Sequence, residues 1–103
     1  MIVVKVEDAP HVDNPHGVDV RKLIDMENVQ IFHVTLKPGE RLRRHTLSVD
    51  AFLYVLKGRC IVEVGEERAE VKKGNLVYLP KEVPHEVSGS GSLPASFLVV
   101  KVV

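Results

Sequence analysis

Short runs in which apolar and polar residues alternate, broken by glycine or proline every eight to twelve positions, dominate this chain. Alternation with a period of two puts successive side chains on opposite faces of a strand, so the pattern predicts β-structure almost throughout. Val29 to Lys37 is the clearest case: Phe32, Val34 and Leu36 share one face, and Ile31, His33 and Thr35 share the other. The first set is the candidate interior, which turns His33 outward or into a subunit contact. Val18 to Ile24 reads as a strand whose register slips at Lys22-Leu23, and Glu27-Asn28 marks the turn that follows it.

Further strands are predicted at Ile2 to Val6, Ala51 to Leu56, Arg59 to Val64, Arg68 to Val71, Leu76 to Leu79 and Phe97 to Val103. Pro38-Gly39, Lys57-Gly58, Gly65-Glu66-Glu67 and Lys72 to Asn75 supply the turns between them. Asp8 to Gly17, with two prolines, two histidines and a glycine, is predicted as a loop, and so is Ser88 to Pro94. No stretch sustains a helical period. Many short strands with regular turns mean a sandwich or a barrel. Apolar strands at both ends of the chain would be hazardous as bare edges, so both are expected to be paired. An apolar sheet face left over would favour a homodimer.

Composition narrows the function classes. The 103 residues suit one domain, 1–103, and 45% apolar with 27% charged residues is a globular balance. The formal net charge is zero, and the basic cluster Arg41, Arg43, Arg44 is short, so neither nucleic acid nor an anionic membrane is an expected partner. That cluster reads as a solvated or salt-bridged strand face. A single cysteine, Cys60, excludes an intrachain disulfide and fits a reducing, cytoplasmic setting. Alternating with Val62 and Val64, it reads as a small buried hydrophobe. Tyr54 and Tyr78 read as core or interface aromatics. Ser88, Ser90 and Ser92 have no base at a recognisable spacing, which removes nucleophilic serine chemistry.

The candidate chemistry lies between Pro38 and Gly89. Gly39 is followed after five residues by His45, and Ala51 after six residues by Gly58 at the end of Tyr54-Val-Leu-Lys-Gly58. Further on, Gly74 is followed after five residues by Pro80, and then by His85. This double pattern, residues 38–58 and 73–89, resembles the two motifs of the cupin superfamily. The resemblance implies an all-β, cupin-type jelly-roll β-barrel of six to eight strands, usually dimeric. It also implies a metal site, in which two histidines and a glutamate of the first motif and a histidine of the second hold one divalent cation.

Here that set is incomplete. Leu47 stands at the second histidine position and Ala51 at the glutamate position; Glu82 and Gly89 replace the glycine and asparagine of the second motif. His45 and His85 remain as metal candidates. Asp50, one residue before the family's glutamate position, is a third if a turn at Ser48-Val49 re-aims it. Glu82 and Glu86 are expected to face solvent, as are His11 and His16 in their proline-rich loop.

Two functions are compatible with these residues. One is a metal-dependent cupin enzyme with dioxygenase-, isomerase- or decarboxylase-like chemistry. It would use iron, manganese, nickel or zinc, and a small partly apolar molecule would be held against Phe32, Val34, Leu47 and Phe97. The other is a metal-free cupin that binds a small ligand or serves as a dimeric module. Fold resemblance does not choose between them.

Overall fold

A computed structural model describes all of residues 1–103. Nine strands form: β1 (Asp19–Asp25), β2 (Val29–Leu36), β3 (Arg41–His45), β4 (Asp50–Lys57), β5 (Arg59–Val64), β6 (Glu67–Lys72), β7 (Leu76–Leu79), β8 (His85–Gly89) and β9 (Ala95–Val102). They build two facing antiparallel sheets, one of order β1-β2-β9-β4-β7 and the other of order β3-β8-β5-β6. The hydrogen bonding does not run from one sheet into the other. The jelly roll expected from the sequence is present, built as two facing sheets that do not close into one continuous barrel.

The period-two reading of β2 holds, because Phe32, Val34 and Leu36 are buried while Ile31, His33 and Thr35 are not. Facing them across the β2–β9 ladder lie Ala95, Phe97 and Val99, all buried. Phe97, Leu36, Leu53 and Val55 are fully enclosed. Withdrawing such a side chain from water stabilises the fold by about 1.5–3 kcal/mol. The register slip expected at Lys22-Leu23 is a bulge between Lys22 and Ile24. Cys60 is wholly buried, and desolvation pushes its thiol up to about 11. It is packing, not a nucleophile.

Two expectations fail. Ile2 to Val6 is not a strand: a 3-10 turn spans Val6–Asp8, and Met1, Ile2 and Val3 are exposed. β-branched residues become a strand only where a sheet edge offers backbone partners, and here none does. The strand β8 extends to Gly89, so the loop predicted from Ser88 begins later. Arg41 to His45 is a strand of its own, and the basic cluster is the salt-bridged strand face read from the sequence. Its arginines make the outward ion pairs Arg41–Glu86 and Arg44–Glu63, each 3.7 Å long.

Candidate functional site

Between the sheets lies a cavity of about 290 Å3. Apolar residues, ten of its sixteen lining residues, make its walls, and its polar side chains are Asn14, His16, His45, His85 and Lys101. Phe32, Val34 and Leu47 line it as the sequence suggests. Phe97 does not: it shares the inward face of β9 with Val99 and Lys101, but lies deeper, sealed in the core. Val99 and Lys101 take the wall positions that were expected of it.

His45 and His85 meet because β3 and β8 pair antiparallel with these two residues directly opposite. Their rings stand edge to face, with centroids 4.4 Å apart. His85 is the one polar or charged residue that is buried. Desolvation first, and the neighbouring His45 second, hold its pKa below the usual 6.5. Its Nδ1 lies 3.4 Å from the Val83 carbonyl.

His16, expected in solvent, is the third ring of this corner, with its centroid 5.0 Å from that of His45. Sequence reading missed it because the loop looked unstructured. Asn14 orders that loop. Its side-chain amide donates to the Val12 and Val18 carbonyls, and its Oδ1 accepts from the His16 and Val18 amides. The Arg43 guanidinium donates to the Pro15 carbonyl and ties the loop to β3. The Asn-Pro-His-Gly run was the available signal, since asparagine and glycine build tight turns of fixed shape.

The main chain of Arg43 sets the protonation of two rings. Its N–H donates to His16 Nδ1 at 2.8 Å, so the neutral His16 ring carries its proton on Nε2. Its carbonyl accepts from His45 Nδ1 at 2.6 Å, so His45 keeps a lone pair on Nε2. His16 is thus a donor at the cavity, whereas neutral His45 is an acceptor. Burial, then His45 and Arg43, holds the His16 pKa below the usual value.

Asp50 faces away. Its Oδ1 accepts from the Lys81 amide at 3.0 Å and from the Tyr78 hydroxyl at 2.8 Å, and these bonds, the first above all, hold its pKa low. As the first residue of β4 it has the opposite parity to buried Ala51, and it lies beside Phe52, Tyr78 and Val102 on the outer side. The turn at Ser48-Val49 does not re-aim it into the cavity. Ala51 is fully enclosed, and its partner across the β4–β9 ladder is Lys101.

These residues do not fit a divalent metal. No three His, Cys, Asp or Glu side chains are arranged to hold one. Only His45 and His85 can offer imidazole lone pairs. His16 has the wrong tautomer, and no carboxylate lines the cavity. The ammonium of Lys101 would also repel a cation.

Residues 32–101 match the model of the cupin domain family. An uncharacterized protein of Methanocaldococcus jannaschii is 34% identical over 83 residues, which is 80% of this chain and 72% of that protein. A crystal structure of an RmlC-like cupin with a double-stranded β-helix fold, also from Methanocaldococcus jannaschii, superposes with a TM-score of 0.78 at 28% identity. It covers 99% of this chain and 93% of its own. A predicted oxalate decarboxylase of Thermotoga maritima superposes at 0.88 with 18% identity and 99% coverage of both chains, a likeness of fold alone. No helix is long and apolar enough to cross a membrane. With half of the usual metal ligands and a two-sheet jelly roll around an apolar cavity, the chain belongs to the cupin family.

Proposed function

We propose that this cupin binds a small, largely apolar molecule in its cavity without a resident metal. The observation that carries this reading is the cavity itself: apolar walls from both sheets, and imidazole and ammonium groups as its polar side chains. That division is typical of small-molecule sites, where apolar area supplies affinity and a few polar atoms set orientation. The test is a fragment screen by protein-observed NMR on metal-free protein. Ligands should shift the amides of β2 and β9 around Val34 and Val99. Fragments that bind only elsewhere, or not at all, would overturn the reading.

A metal-dependent enzyme is the second reading, favoured by one observation. His45 and His85 are directly opposed, each with Nδ1 within reach of a carbonyl, and such bonds leave the Nε2 atoms free. Elemental analysis of protein purified without a histidine tag separates the two readings. Stoichiometric iron, manganese, nickel or zinc, lost in both His45→Ala and His85→Ala, would establish the second and remove the first.

The outer face of the five-stranded sheet supports self-association. Tyr54, Leu76, Tyr78 and Val102 are exposed there, and Phe52 stacks on Tyr78 at 5.4 Å. A second copy seated on this face would give the homodimer expected from the sequence, and sedimentation equilibrium should report twice the chain mass. The buried, unreactive thiol of Cys60 suits a cytoplasmic setting.

A further inference from the structure

Lys101 is a cation without a counter-ion. It sits near the end of β9 on the inward face, in register with Ala51 on β4, and lines the cavity. Its Nζ lies 4.8 Å from the centroid of the Phe32 ring, which bears a partial negative face but no charge. None of the molecule's ion pairs includes it. The one other ammonium near this ring, that of Lys22, is 5.9 Å from its centroid and is engaged with Asp25 at 3.0 Å. No aspartate or glutamate lines the cavity. Burial, and secondarily Lys22, holds the Lys101 pKa below its ordinary value.

An ammonium drawn partly out of water with no partner is costly, and an arriving anion recovers that cost as an ion pair in a weakly screened site. His16 supports the same sign, whereas neutral His45 and His85 offer Nε2 lone pairs that suit a donor on the ligand and not its carboxylate. His16 presents its Nε2 proton as a donor, because Arg43 occupies its Nδ1. Asn14 is spent on the loop backbone and competes for nothing. The apolar walls, including Phe32, Val34, Leu53 and Val99, accept only apolar atoms.

We infer that the cavity takes a small carboxylate with an apolar body, its head group paired with the Lys101 ammonium and its body against Phe32, Val34, Leu53 and Val99. This rests on the cavity being a ligand site and adds the charge of the ligand.

Matched acid and amide pairs test it: benzoate with benzamide, and isovalerate with isovaleramide, titrated by NMR in the presence of EDTA. Each acid should bind at least tenfold more tightly than its amide, with shifts at β2 and β9. Lys101→Met should abolish that preference while leaving the weak amide binding in place. Lys22→Met, which alters the nearby charge outside the cavity, should preserve it. Acid and amide binding equally would overturn the carboxylate inference and leave the cavity reading standing. No binding by either member of both pairs would overturn the two together. A preference that survives Lys101→Met would also refute it.

Discussion

His16 and His45 hold opposite tautomers because the main chain of one residue, Arg43, serves them both. The Arg43 N–H donates to the first ring and the Arg43 carbonyl accepts from the second. A loop histidine and a strand histidine thus become a donor and an acceptor side by side. Their rings would otherwise be interchangeable in composition. Nitrogen-15 NMR should show the Nε2-H form in the neutral His16 ring and the Nδ1-H form in the neutral His45 ring. Identical tautomers would disprove the arrangement.

Acid should destabilise the fold through His85. Its folded pKa is lowered, so between about 6.5 and that lower value the unfolded chain binds a proton that the folded chain refuses. Stability is then fully present above about pH 6.5 and falls as pH drops through the window. The slope for one group is at most about 1.4 kcal/mol per pH unit. Melting temperatures from about pH 7.5 to about pH 5 should fall, and His85→Leu should flatten that fall. An unchanged slope in the variant would assign the acid sensitivity elsewhere.

Gly58 closes the first motif where only glycine fits. Its φ is 76°, and an added Cβ would lie 2.8 Å from the Pro94 carbonyl oxygen and 2.9 Å from the Ala95 Cα. Gly58→Ala therefore combines left-handed strain with a clash against backbone, and should lower stability by about 2–4 kcal/mol. Urea unfolding measures it. A loss under about 1 kcal/mol would mean that the start of β9 yields easily.

Glu82 stands at the family's glycine position and keeps glycine's conformation, with φ 63°. Its amide donates to the Leu47 carbonyl at 2.7 Å, which locks the turn before His85. Relief of left-handed strain outweighs the added freedom of the unfolded chain, so Glu82→Gly should stabilise by about 0.5–1 kcal/mol. A destabilised variant would show that the glutamate side chain contributes more than its backbone costs.

Asn14 holds the loop that delivers His16, through four side-chain hydrogen bonds. Asn14→Ala should cost about 1–2 kcal/mol and speed hydrogen exchange at the His16 and Val18 amides, which lose their acceptor. Amides in β5 and β6 should exchange as before. A uniform increase across the chain would point to global rather than local loosening.

Much of this molecule is decided along the chain itself. Period-two alternation picks out β2 and β5 with their faces, and Pro38-Gly39 and Gly65 end them, because strand geometry and turn sterics are local properties. The resemblance to the cupin motifs implied that His45 and His85 share a site, and the β3–β8 pairing sets them opposite each other. Three things were decided only in three dimensions. Asp50 turns outward because Tyr78 and Lys81, some thirty positions away, offer it better partners. His16 joins the corner because Asn14 and Arg43 fold a loop against a strand that lies far along the chain. Lys101 reaches the cavity because β9 runs between β2 and β4, which sets it opposite Ala51. Alternation assigns a side chain to a face, but only the pairing of distant strands determines which groups share a cavity, and so the sign of its charge.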